Sequence, residues 1–197
     1  PRGYLLNPQI AASLQAALES LNNHPHLEWL NRADFEAGSM TPPNAVFKTS
    51  GNDFLADETL SEEVFGPVTM YVVCEDETQM MQIAESLKGN LTASVHADED
   101  MELAGKLYDV LEQKVGRVIY NGYPTGVEVC PSQQHGGPYP ASSVSTSTSV
   151  GVGAIVRFAR FVALQGTPDA LLPDALKNEN PLGIYRLVNG ELTTRGI

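Results

Sequence analysis

Cysteine is nearly absent from this chain: Cys74 and Cys130 are the two in 197 residues, far apart in sequence. Two such thiols make neither a disulfide framework nor a metal cluster, and a reducing, cytoplasmic setting is the expectation. Bases are scarce as well. Twelve Lys and Arg stand against 24 Asp and Glu, a net charge of −12, which argues against nucleic acid or an anionic membrane as partner. No apolar run approaches the ~20 residues of a membrane span, and nothing at the N-terminus reads as a signal peptide. No Gly-x-Gly-x-x-Gly follows a candidate strand and there is no phosphate loop, so no nucleotide phosphate site is visible. Internal repeats are lacking. His24 and His26 have the spacing of a metal pair on a strand, but Pro25 separates them and no third ligand lies near, so no metal is expected.

What is present is globular. Hydrophobic residues make up 42% and charged residues 18%, enough for one domain with a real core. The chain opens Pro1-Arg2-Gly3 without Met, and an upstream part is expected. Asn7-Pro8 is an N-cap followed by Pro at the first helical position, and Ile10, Leu14, Leu18 and Leu21 continue at helical spacing to about Asn22. From Asn23 to Ser61 the pattern is irregular, with one short strand at Ala45–Lys48. Then Val68–Cys74 reads as a strand covered on both faces. Thr78 caps a helix whose Met81, Ile83, Ala84 and Leu87 face inward and which stops at Gly89. A strand at Leu91–His96 follows. Asp98 opens a helix with Leu103, Ala104, Leu107 and Leu111 as its stripe and Gly116 as its stop, and Arg117–Tyr120 is a third strand. This alternation predicts an α/β fold: a mostly parallel open sheet with helices on both faces and right-handed crossovers. Ligands of such sheets gather at the carboxyl ends of the strands, so the loops after Cys74, His96 and Tyr120 are the ones of interest.

The loop after Tyr120 is the longest, running to Pro140, with a Ser/Thr tract from Ser142 to Ser149 behind it. Helix is expected to resume near Gly153 with Ile155, Phe158 and Val162 facing the core. Pro168, Pro173 and Pro181 punctuate a tail whose alternation over Ile184–Leu192 predicts an edge strand or hairpin. Residues 1–182 are read as one domain and 183–197 as a tail strand that could pair with a neighbouring subunit.

The junction between the irregular and regular parts is Ser61-Glu62-Glu63-Val64-Phe65-Gly66-Pro67-Val68. Gly66 permits backbone angles closed to other residues, and Pro67 removes a donor before the strand. In extended chain Glu63 and Phe65 point to one side, where a carboxylate beside a flat ring suits a ribose hydroxyl beside a planar base. A capping acid and a core phenylalanine fit the same residues. Cys130 and His135 share one loop, but Pro131 limits the bend between them and no helix N-terminus follows the thiol, so an unreactive cysteine is the better reading. Cys74 reads as packing and His96 as structural. His135 precedes Gly136-Gly137, where backbone can approach a ligand, and an imidazole moves protons near neutrality.

Glu62-Glu63-Val64-Phe65-Gly66-Pro67-Val68 resembles the Glu-Glu-Ile-Phe-Gly-Pro-Val segment of the aldehyde dehydrogenases. Gly116–Asn121 is similar to that family's Gly-x-Val-x-x-Asn strand. His135-Gly136-Gly137 and Thr148–Gly151 stand where most members carry Pro-Phe-Gly-Gly and Lys-x-Ser-Gly, with histidine in place of the aromatic. With Asn121–Val129 and Leu171-Leu172-Pro173, the chain resembles the C-terminal part of the NADP-dependent branch, which holds fatty-aldehyde and 2,5-dioxovalerate (α-ketoglutaric semialdehyde) dehydrogenases. The resemblance implies NADP, or alternatively NAD, as cofactor, with Glu63 on the nicotinamide ribose and Phe65 near the ring. It implies oxidation of an aldehyde through a cysteine thiohemiacetal and thioester. His135 would line the substrate channel and assist proton transfer. The nucleophilic cysteine, the glutamate base, the oxyanion-hole asparagine and the Rossmann half are absent from these residues, so the chain by itself is expected to be inactive. A Gly-Gln-x-Cys would lie a few tens of residues before Pro1. A homo-oligomer is implied for the intact enzyme, and a non-catalytic assembly module is the alternative.

Overall fold

Asn7 begins the first helix as expected: its side chain accepts from the Ile10 N–H at 2.9 Å, and α1 (Pro8–Asn22) buries Ala11, Leu14 and Leu18. The computed structural model describes residues 3–31, 35–36 and 38–197, so the opening Pro1 and Arg2 lie outside the described residues. Two compact units divide the chain, Pro1–Arg157 and Phe158–Ile197.

In the first unit, β1 (Glu28–Asn31), β2 (Ala45–Ser50) and β3 (Val68–Val73) form one sheet, with β2 in its middle. β1 runs antiparallel to β2, and β2 parallel to β3 in the register Ala45↔Val68 to Ser50↔Val73. Between β2 and β3 lie α2 (Gly51–Ala56) and a 3₁₀ turn at Glu58–Ser61. Leu14, Leu18, Ala45 and Phe47 form the core under α1, and Trp29 and Val64 pack against it. Sequence periodicity missed β1 and α2 because both are short, four and six residues, too few to establish a period.

α3 (Glu77–Ser86), β4 (Asn90–Val95), α4 (Met101–Leu111) and β5 (Val115–Tyr120) complete the regular part. β4 and β5 pair in parallel, and Ala84, Val95, Ala104 and Leu111 make a second core. The α/β class with parallel pairing holds. Its sheet, however, is in separate pieces, and among the described residues no ladder joins β3 to β4.

Local boundaries shift by a residue or two. Asp76, rather than Thr78, caps α3, and Asp100, rather than Asp98, caps α4, because each carboxylate accepts an N–H three residues on. Leu87 turns extended before Gly89 is reached, and Gly116 lies inside β5 rather than ending the helix. Residues of β3 alternate half-buried and exposed, so this strand is covered on one face, not both. The stretch expected as a core helix near Gly153 is a 3₁₀ segment, Val152–Phe158, with no buried residue; Ile155, Phe158 and Val162 are all exposed, since nothing among the described residues packs over them.

In the second unit the tail is a hairpin, β6 (Arg186–Val188) against β7 (Glu191–Thr193). Asn189 and Gly190 both have positive φ, 49° and 89°, the requirement of a two-residue turn matched to strand twist. Asn180, buried and itself left-handed at φ 51°, donates to the carbonyls of Ile184 (2.9 Å) and Thr194 (2.7 Å) and so ties both arms.

Candidate functional site

The segment before β3 is a strip of alternating direction. Val64 turns into the α1 core, whereas Glu63 and Phe65 turn out, Phe65 with 64% of its surface exposed. Pro67 accepts from the Ala45 N–H at 3.0 Å, which fixes the strip to the start of β2. Gly66 is required here for space. Its φ lies outside the left-handed region, but a Cβ on it would come within 2.7 Å of both methyls of Leu14. The backbone freedom expected of Gly66 is therefore not what its position uses.

Glu63 and Phe65 line one cleft of about 400 Å³, together with Tyr4, Leu6, Ile10 and Gly66. Glu63 also faces a depression of about 650 Å³ that includes Lys88, Asn90, Pro140 and Ala141. On its other side it borders a cavity of about 340 Å³ that contains His24, Thr59 and Leu60. The carboxylate thus stands where three hollows meet.

Upstream, Asp57 organises the approach. Its carboxylate accepts from the Thr59 N–H (2.9 Å) and hydroxyl (2.7 Å) and meets His24 Nε2 at 3.0 Å. The Thr59 hydroxyl, then His24, hold the Asp57 carboxyl down to about 2. His26 pairs with Asp53 in parallel at 3.0 Å, so the two histidines bind the turn after α1 to α2 and its end. These are side-chain ties between the turn after α1 and α2. Asp57 and Thr59 are legible in sequence only as an Asp-x-Thr cap pattern; His24, which bonds that carboxylate, is 33 positions away and carries no local signal.

His135 is exposed, and its backbone is held from the Ser/Thr tract. Its N–H donates to Thr148 Oγ1 at 2.9 Å, and its carbonyl accepts from both the N–H and the hydroxyl of Ser149 at 2.9 Å. Gly136 and Gly137 are buried, and their backbone lies directly on Gly116 and Asn90; a Cβ on Gly116 or Gly137 would collide with that backbone. This contact is at the amino ends of β4 and β5. Glu63 and Phe65 precede β3, as their order in the sequence requires, whereas the glycines after His135 lie at the amino ends of β4 and β5, not at the carboxyl ends expected for the loop after Tyr120. The loop reaches the hollow beside Glu63 through Pro140 and Ala141. His135 is not among the residues lining the Glu63–Phe65 cleft.

At the carboxyl ends the structure is closed by side chains. Asn121, at φ 46°, accepts from the Ala97 N–H (2.9 Å) and donates to the Ala97 carbonyl (2.8 Å), while the His96 and Tyr123 rings lie 5.2 Å apart. Cys130 Sγ meets Ser132 Oγ at 3.3 Å, and among the described residues no hydrogen bond links it to His135. Burial and Asp76 push the Cys74 thiol up, away from thiolate.

The chain is α/β, with parallel ladders and an outward Glu-x-Phe strip ahead of a strand. The aldehyde dehydrogenase family model matches residues 33–150, and the chain belongs to that family. It is 41% identical over 192 residues, 97% of its length, to alpha-ketoglutaric semialdehyde dehydrogenase 2 of Azospirillum brasilense, covering 37% of that protein. To the alpha-ketoglutaric semialdehyde dehydrogenase of Acinetobacter baylyi it is 42% identical over 199 residues, covering 96% of this chain and 36% of the relative. Both are of the branch its motifs resemble, and the chain spans little more than a third of either. The fold is also that of a salicylaldehyde dehydrogenase from Pseudomonas putida G7, with a TM-score of 0.60 at 18% identity over 79% of this chain and 29% of that one.

Proposed function

We propose that this chain forms the nicotinamide-side wall of an NAD(P)-dependent aldehyde dehydrogenase that oxidises an aldehyde to the carboxylic acid. The observation that carries this is the joint outward projection of Glu63 and Phe65 into one cleft. The residues fit the cofactor's nicotinamide end. A carboxylate with free lone pairs accepts from two ribose hydroxyls, and an exposed ring beside Leu6 and Ile10 gives a planar base an apolar floor. When bound, the nicotinamide supplies the acceptor for the hydride leaving the substrate. Glu63 holds and orients the sugar, Phe65 packs the ring and excludes water, and His135 assists proton transfer.

NADP is the favoured cofactor, with NAD the alternative. The names of the relatives favour a semialdehyde of the 2,5-dioxovalerate type over a fatty aldehyde as substrate. The intact enzyme is cytoplasmic and oligomeric in this reading; among the described residues no helix is long and apolar enough to cross a membrane. The 197-residue chain, without the nucleophilic cysteine and Rossmann half, is inactive by itself.

In the enzyme carrying the upstream half, Glu63→Gln is expected to weaken cofactor binding by ~10- to 100-fold, the loss of one charge-assisted hydrogen bond. Unchanged cofactor KM and kcat in both Glu63→Gln and Phe65→Ala would overturn the reading. His135→Phe tests the proton role alone: a pH–rate profile identical to the parent's removes it. Turnover by the verified 197-residue chain would contradict its inactivity.

A second reading, an assembly module, draws on the tail hairpin, which leaves Tyr185, Leu187 and Leu192 exposed. Gel filtration with and without the residues after Asn180 tests it; an unchanged elution volume per mass removes it.

A further inference from the structure

His135 is seated by its backbone while its side chain stays exposed. Both of its main-chain polar groups are taken by the Ser/Thr tract. The N–H donates to Thr148 Oγ1, and the carbonyl accepts from the Ser149 N–H and hydroxyl, each at 2.9 Å. A residue whose donor and acceptor are both bound to one neighbouring segment has φ and ψ fixed from either side, and only its side-chain torsions stay open. Thr148 is itself fully engaged. Its hydroxyl also donates to the Val150 carbonyl at 3.0 Å and accepts the Val150 N–H at 3.3 Å, which uses its one hydrogen and both lone pairs. Thr148 is only 6% exposed, so little water is at hand to replace these bonds. The residues that follow are held as well. A Cβ on Gly136 would come within 3.1 Å of the Ser147 carbonyl, and Gly137 lies on Asn90.

We propose that Thr148 and Ser149 are positioning residues for His135, and that this clasp sets where the imidazole stands when it meets the substrate. A rigid seat beneath a free side chain is what holds a group within the narrow range of productive geometries. The proton-transfer role of His135 rests on the reading above; the clasp does not. Neither hydroxyl meets the reacting atoms, because each acts through the backbone of His135. Thr148→Val keeps the size and shape of the side chain but leaves the His135 N–H without its partner. Thr148→Ser keeps the hydroxyl.

Two readouts test this in the enzyme carrying the upstream half. By hydrogen–deuterium exchange, the peptide containing His135 should exchange about 5- to 10-fold faster in Thr148→Val and near the parent rate in Thr148→Ser. In turnover, Thr148→Val should lower kcat by about 10- to 100-fold with both KM values little changed, and Thr148→Ser should recover it. Placed in a His135→Phe background, Thr148→Val should lower kcat no further, since the ring it positions is gone. Losses that multiply in the double variant overturn the proposal. So does a Thr148→Val enzyme that keeps the parent exchange, or one that keeps the parent kcat while His135→Phe loses it. Ser149→Ala, which removes one of two donors to the His135 carbonyl, should shift both readouts the same way and serves should Thr148→Val not fold. His135→Phe with the parent kcat counts against the proton-transfer reading, and faster exchange in Thr148→Val still shows the clasp.

Discussion

Asp57 and Gly66 bracket the strip that carries Glu63 and Phe65, and each has a single-residue signature. Asp57 is held near pKa 2 first by the Thr59 hydroxyl and second by His24. Thr59→Val should therefore raise the Asp57 midpoint toward its ordinary 3.8 by more than His24→Asn does, read from the carboxyl carbon shift against pH. Because this carboxyl is depressed in the folded state, its contribution to stability is present above about pH 4 and lost as pH falls toward 2. At Gly66 the cost of a methyl is steric. Gly66→Ala should destabilise by about 1–3 kcal/mol in urea unfolding, and by clearly less when Leu14 is also Ala, since the 2.7 Å clash then has no partner. The strip's alternation was legible from spacing alone. Gly66's role was not, because the atom that demands a glycine belongs to a helix 52 positions earlier.

At the scale of elements, α1 was readable because a cap and an apolar stripe agree, whereas β1 and α2 carried neither. Leu14 is 1% exposed, so Leu14→Ala should cost about 2–5 kcal/mol, while Asn7→Ala at the cap should cost about 1 kcal/mol, both by urea unfolding. In the tail, the hairpin depends on a residue outside it. Asn180→Ala removes two hydrogen bonds to carbonyls that flank the arms, and amide exchange of Arg186–Val188 and Glu191–Thr193 should quicken while α1 is unaffected. The alternating tail pointed to an edge strand or hairpin; the brace from Asn180 did not show, because sequence shows a lone polar residue and not its partners.

Across the whole molecule, apolar side chains stand uncovered in both units. In the second, Phe158 is 89% exposed, and Phe161, Leu171 and Leu187 are exposed with it. Such surface promotes association even against a net charge of −12. The chain is expected to bind an apolar dye and to elute at a volume that depends on concentration, and Phe158→Glu with Phe161→Glu should reduce both. Dye binding unchanged by the double substitution would place the sticky surface elsewhere.

Residue order alone determined the α/β class, the first helix, parallel pairing, a strand or hairpin in the tail and the family, because each is written in spacings of a few residues or in a contiguous motif. Only the tertiary structure decided that Glu63 and Phe65 open into one cleft with Leu6 and Ile10, that Gly136 and Gly137 lie on Gly116 and Asn90, and that His24 grips Asp57. Those facts depend on which distant backbones come together, and a close approach between remote segments leaves no periodic trace in either one.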